Sequence, residues 1–221
     1  MIERFASAVD NADLPLSGKA FYSGRAAFSR PAKIYLLGLN PGGRPAANEN
    51  ETVGWHTQQV LTVHPDLWSA YEDESWENRP CGLYPLQVRV RHMLRQLELD
   101  PRLTPASNLI FVRSGRESEI GSDKQMLLDK FWIFHNRVIA ELQPKIIVCL
   151  GQTAGNYVRE KLQTNDLLDE FVERNSRRWR STIYANGRTA MVACVTHPSI
   201  ADWTSPVSDP TPMLKNALGS L

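Results

Sequence analysis

Ile146-Ile147-Val148-Cys149-Leu150 is apolar at consecutive rather than alternate positions, a pattern that suits a strand covered on both faces, as in a parallel sheet. Three further runs read the same way: Lys33 to Gly38, Asn108 to Val112 and Ala190 to Thr196. Helical patterns separate them. Leu86, Val90, Met93, Leu94 and Leu97 fall on one helical face, as do Leu127, Phe131, Phe134, Val138 and Leu142, with Ser122 and Gln125 forming a capping-box signature ahead of the second set. A third helix is predicted from Gly151 through Leu162, which makes Lys145 to Thr196 a strand–helix–strand crossover. Strands alternating with helices predict a doubly wound α/β sheet.

Two stretches interrupt this rhythm. Arg44 to Pro85 has no convincing period but carries Trp55, Trp68, Tyr71, Trp76 and Tyr84, so an irregular insert is expected at about 44–85, and its aromatics argue against plain disorder. Arg178 to Arg188 places Asn186-Gly187 after Trp179 to Tyr184, a hairpin turn between short strands. The 221 residues, 42% of them apolar, suit one domain spanning 1–221. The net charge of +1 neither demands nor excludes a nucleic-acid partner. Cys81, Cys149 and Cys194 are too scattered for a disulfide framework or thiolate metal centre. With no bilayer-length apolar run and no signal-peptide pattern at Met1-Ile2-Glu3-Arg4, the chain is expected to be intracellular, in cytoplasm or nucleus, without a membrane partner.

Two motifs directly follow apolar runs: Gly38-Leu39-Asn40-Pro41-Gly42 and His197-Pro198-Ser199. Loops leaving the carboxyl ends of parallel strands converge on one edge, so these distant motifs can face one ligand. Asn40 in a sharp Pro-Gly turn presents a carboxamide that can hold a water. By itself Asn-Pro-Gly is more often a plain strand-end turn, and a lone His after a strand is more often a satisfied structural residue. Order and spacing improve the case for a site.

The first motif resembles that of the uracil-DNA glycosylase superfamily, in the form used by its mismatch-specific and single-strand-selective branches, and His197-Pro198-Ser199 resembles the second. Ser107-Asn108-Leu109-Ile110 is similar to the segment that supplies the family's base-reading Asn, and Lys145 to Gly151 is similar to the penultimate core strand and its turn. The resemblance runs in order from about Lys33 to Ser199. It implies a three-layer α/β/α fold around a central, mainly parallel four-stranded sheet, and a monofunctional glycosylase of base excision repair that needs no metal or organic cofactor and acts as a monomer.

Residue by residue, the resemblance implies that Asn40 positions the hydrolytic water and His197 hydrogen-bonds the departing base. Asn108 would read the base edge, with Gly38 and Leu39 lining the pocket. Where one branch carries a Tyr that excludes the 5-methyl of thymine, this chain has Gly42, which implies room for 5-substituted uracils. Trp55 is the candidate for the aromatic stacked on the flipped base, with a buried packing Trp the equal alternative. Ser199 would hold a phosphate, and Trp203 would be the wedge that fills the vacated stack or else an anchor of the C-terminal segment. Arg177 and Arg178, with Arg174 and Arg180 around Trp179, are candidate phosphate contacts, although such a run is more often a solvated face. The acidic stretch Glu72-Asp73-Glu74 is expected to face away from DNA. Two other classes stay open: a non-catalytic nucleic-acid or nucleotide binding module on the same fold, and a hydrolase using Ser114 or Ser199 with His197, which lacks a nucleophile-elbow pattern.

Overall fold

The computed structural model describes residues 1–219. Its strands are β1 (Ile34–Gly38), β2 (Ala106–Asn108), β3 (Ile146–Leu150), β4 (Asp166–Val172), β5 (Arg180–Ala185) and β6 (Met191–Val195). They form one six-stranded sheet in the order β2-β1-β3-β6-β5-β4. The first four strands of that order run parallel, whereas β5 is antiparallel to both β6 and β4. Three of the four apolar runs therefore build the parallel part as β1, β3 and β6, the fourth touches it only at Asn108, and the expected four-stranded sheet is short by two strands. β1, β3 and β6 are buried at every position.

The helices are α1 (Ile2–Ala6), α2 (Val53–Gln58), α3 (Ala70–Asp73), α4 (Pro85–Gln96), α5 (Lys124–Leu142), α6 (Gln152–Leu162) and α7 (Thr211–Gly219). α4, α5 and α6 stand where the periodicity places helices. The capping box at Ser122 and Gln125 does not form: Asp123 occupies the N-cap without a side-chain cap bond, and Gln125 instead donates to Asp129. The crossover from β3 to β6 holds not only α6 but also the hairpin of β4 and β5, which widens the sheet. β4 escapes a pattern search because its register shifts between Leu167 and Asp169, and such a bulge resets the alternation of in and out.

β2 begins earlier and ends sooner than the apolar run Asn108 to Val112 suggests. Beyond Asn108 the chain pairs with the turn after β1 rather than with a strand: Leu109 N–H donates to Gly38 O (2.9 Å), Ile110 N–H to Leu39 O (2.8 Å) and Ser114 N–H to Pro41 O (3.1 Å). The run is apolar because Leu109, Ile110 and Phe111 are buried beneath that turn.

The insert at 44–85 is not structureless. It contains α2, a π-helical turn (Gln59–Val63) and α3, and a part-buried ion pair fastens it to the N-terminal segment. Lys19 Nζ donates to both Glu74 oxygens at 2.6 Å while lying over the rings of Tyr22 and Trp68. Removing Glu74 would leave the buried Lys19 ammonium without its carboxylate partner, which works against folding. One hydrophobic cluster runs from Ile2 to Leu214 and includes both the sheet and the insert's Trp68 and Tyr71. Among the described residues no helix is long and apolar enough to cross a membrane, and Cys81, Cys149 and Cys194 are all free.

α6 lies close against β6 because position 155 is a glycine. A Cβ there would come within 2.2 Å of Cys194 Sγ and 2.7 Å of Cys194 Cβ. Gly155→Ala is expected to push helix from sheet at a cost of about 1–3 kcal/mol. Thermal unfolding should show the loss as a Tm lower by roughly 2–10 °C.

Candidate functional site

The carboxyl ends of the parallel strands open onto a cleft of about 1660 Å³ whose lining includes Asn40, Asn108 and His197. Register puts two of these together directly. Gly38 at the end of β1 pairs with Asn108 at the end of β2, and a Cβ at position 38 would lie 2.0 Å from Asn108 Oδ1. A glycine there is what lets the buried Asn108 carboxamide sit across the strand end; Tyr22, whose hydroxyl faces Asn108, closes the other side. Burial, reinforced by the Glu74 carboxylate, pushes the Tyr22 hydroxyl well above its ordinary pKa, so it stays protonated.

Behind Asn108, His135 of α5 lies beside the backbone carbonyls of Leu109 and Asn108, and its Nδ1 hydrogen-bonds the Tyr35 hydroxyl at 2.9 Å. Complete burial lowers its pKa to about 3. His135 is thus a neutral strut under the segment that carries Asn108.

Asn40 has a defined orientation. Its Nδ2 lies 2.9 Å from Pro41 O, 2.8 Å from Ser114 Oγ and 3.4 Å from Ser114 O. Two of those partners are carbonyls that can only accept, so the amide nitrogen must be on that side and Oδ1 on the other. Ser114 Oγ in turn donates a hydrogen bond to Arg116 O (3.0 Å). The outcome is an acceptor oxygen at the cleft that cannot ionise.

His197 is oriented with equal definition. The Ser199 backbone N–H, which can only donate, reaches His197 Nδ1 at 3.1 Å, and Ser199 Oγ lies 2.7 Å from the same nitrogen. Nδ1 therefore accepts and the ring proton resides on Nε2. Burial lowers the His197 pKa to about 4, so at neutral pH the residue is an uncharged Nε2–H donor. The loop is held by Arg89 Nη1, which donates to Pro198 O (2.6 Å), and by Trp203 Nε1, which donates to Thr196 O (3.1 Å).

That last contact corrects the wedge assignment. Trp203 is fully buried, pinned under the loop as the anchor of the segment after Ser199. Trp55 is corrected as well: it is 46% exposed and does not line the cleft. Consecutive helical residues point about 100° apart, and in α2 it is His56 that turns inward. His56 is buried, with Nε2 3.7 Å from Glu51 Oε2; burial, aided by the Lys19 and Arg113 charges, lowers its pKa to about 2.

The cleft's aromatic wall is Tyr22, Tyr71, Trp76 and Tyr84, in ring contact one with the next. Glu74 Oε2 accepts from Trp76 Nε1 (2.7 Å) as well as from Lys19. The acidic stretch is thereby split: Glu72 and Asp73 pair with Arg91 and Arg102, while Glu74 turns into the cleft, against expectation. The sequence marks these aromatics only as a cluster without period; nothing local says which face inward.

Gly38, Leu39 and Gly42 line the cleft, and a Cβ at Gly42 would meet nothing within 4 Å. Ser199 is exposed at the cleft and engaged with His197. Arg177 is already committed to Glu173 and Ile200 O. Arg178 is exposed in the left-handed region (φ 52°). Among the described residues no group of three His, Cys, Asp or Glu side chains is set to hold a metal ion. A Ser199 nucleophile is poorly served, because the His197 Nδ1 beside its hydroxyl also receives the Ser199 backbone N–H. No family model matches the chain, and no curated protein matches it.

Two measurements check this geometry. In ¹⁵N NMR, His197 should show the Nε2–H tautomer at neutral pH and titrate near pH 4. His56, His135 and His197 all have folded pKa values below the unfolded 6.5, so the unfolded chain takes up protons first. Stability should be full above about pH 6.5 and fall as the pH drops toward 4, seen as a falling Tm. A Tm that rises on acidification contradicts the assignment.

Proposed function

We propose that the protein hydrolyses the N-glycosidic bond of uracil in DNA, as a monofunctional glycosylase whose nearest chemical likeness is the uracil-DNA glycosylase superfamily. One observation carries the reading: an amide oxygen at Asn40, a carboxamide at Asn108 and a neutral Nε2–H at His197, from three separate strand ends, line one cleft. On this reading the sheet and its helices are a three-layer α/β/α domain enlarged by the β4–β5 hairpin, and the protein works inside the cell as a monomer in base excision repair.

The chemistry follows from the side chains. A base turned out of the stack enters the cleft at a cost of a few kcal/mol of unstacking, least where it is mispaired or unpaired. Asn108 donates from its amide to the uracil O4 and accepts from N3–H; cytosine presents the opposite pattern and is refused. Tyr22 and Trp76 stand nearly perpendicular (84°) in the cleft wall, so one of these rings, rather than Trp55, offers the base its face while the other borders it by an edge. Asn40 Oδ1 accepts a hydrogen bond from a water whose oxygen attacks C1′. As the C1′–N1 bond breaks, the electron pair leaves with the base, and negative charge grows on its O2. His197 Nε2–H meets that charge without bringing one of its own, a preorganised donor of the kind worth about 3 kcal/mol. The hydroxyl of water stays on the sugar and its proton ends on the base. Gly42, with open space where a side chain would project, leaves room at C5 of the pyrimidine.

The test is base release from single-stranded and mismatched uracil-containing oligonucleotides, read as alkali-labile abasic sites. His197→Ala and Asn40→Ala are each expected to lower the rate by about 10²–10³. Gly42→Tyr should keep uracil release and lose 5-substituted uracils. Wild-type protein that releases no base from any such substrate overturns the proposal. Binding without release would make the protein a non-catalytic nucleic-acid module instead.

A further inference from the structure

The β4–β5 hairpin carries a surface construction that the chemistry above does not use. Trp179, 37% exposed, lines the mouth of the cleft, and the guanidinium of Arg177 lies 4.2 Å from its ring centroid. Arg177 is fixed at its guanidinium from two sides and at its backbone from a third. Nη2 pairs with Glu173 Oε2 at 3.2 Å, Nη1 donates to Ile200 O at 2.6 Å, and the Arg177 backbone N–H donates to Asn175 Oδ1 at 3.0 Å. Asn175 Nδ2 in turn donates to Glu173 Oε2 at 2.8 Å.

Holding this stack is costly. Glu173 is 1% exposed and its Oε1 has no hydrogen-bond partner among the described residues, and a buried carboxylate with an orphan oxygen works against folding. Arg178, directly before Trp179, takes a left-handed backbone (φ 52°) that a non-glycine residue adopts at a penalty. A solvated hairpin tip needs neither. Both are explained if the tryptophan must be held flat and still, one face against a fixed cation, beside the loop that carries His197. Arg177 joins the two, since it reaches from Trp179 to Ile200 in that loop.

We infer that Trp179 is a second base-stacking subsite, taking an unpaired nucleobase that neighbours the one entering the cleft, with the exposed Arg174 and Arg178 beside it for the flanking phosphates. This rests on the proposed action on DNA. The occupant's chemistry follows from the surface: an open aromatic face backed by a cation stacks any base, and neither Arg174 nor Arg178 has a carboxylate partner among the described residues. A base inside a duplex has both faces covered by its neighbours, so the subsite discriminates in favour of single strands.

The test uses the full chain and a labelled, mixed-sequence, uracil-free 20-nucleotide DNA, single-stranded or as a blunt duplex, with affinity read by fluorescence anisotropy. Trp179→Ala should weaken single-strand binding roughly tenfold and change duplex binding less than twofold, and Trp179→Phe should restore most of the loss. Unchanged melting of both variants shows that they fold. Wild-type affinity in Trp179→Ala, or equal losses on single strand and duplex, overturns the subsite, as does tighter binding of an RNA of the same sequence. Because the probe contains no uracil, the outcome is independent of base release. An inactive wild type whose Trp179→Ala variant still loses single-strand binding would sink the glycosylase reading alone, and an active one whose variant binds normally would sink the subsite alone.

Discussion

Everything at the cleft depends on one directional constraint: β2, β1, β3 and β6 run parallel and end together. Parallel neighbours deliver their following loops to a common edge, so Asn40, Asn108 and His197, far apart along the chain, need no further device to meet. Fine positioning comes from register. Gly38 opposite Asn108 opens the space that the carboxamide occupies, and a one-residue slip of β2 would turn Asn108 away from that edge.

The second layer of organisation is hydrogen-bond polarity. Groups that can act only one way, the Ser199 N–H and the Pro41 and Ser114 carbonyls, decide which face each ambiguous side chain shows to the cleft. The effect is a site with an acceptor at Asn40 and an N–H donor at His197, neither charged at neutral pH. Asn40 is neutral by its chemistry and His197 by burial, and burial is also what makes the fold sensitive to acid through His56, His135 and His197.

Much of this is legible in the amino-acid sequence. Runs such as Ile146 to Leu150 announce buried strands because no polar side interrupts them, and the helical faces of α4 and α5 follow from their spacing. The hairpin turn at Asn186-Gly187 was legible from its residue types, since Asn-Gly tolerates the positive φ such a turn requires. β4 was not, since a bulge at Leu168 breaks its alternation and exposed leucines mimic a loop. Trp203 and Trp55 show a different gap. Both are large aromatics near a motif, yet one is fully buried beneath the loop it holds and the other faces solvent on a short helix. A side chain's outlook in an irregular segment depends on the phase of the local backbone, which no periodic signal records.

The sequence by itself determined the α/β architecture, the parallel core and the strand-end turns that carry Asn40 and His197, because consecutive apolar positions and strand-end turns are local properties of a chain; Asn108 was marked only by the resemblance, and the structure put it at the end of β2 rather than at the start of a strand. Only the tertiary structure decided the two added strands, the inward turn of Glu74 and Trp76 from the insert, the burial of Trp203 and the backed, half-open ring of Trp179. Each of these is set by contacts between segments distant in sequence, such as Lys19 with Glu74 and Arg177 with Ile200, and the free energy of such contacts exists only once the chain has closed on itself.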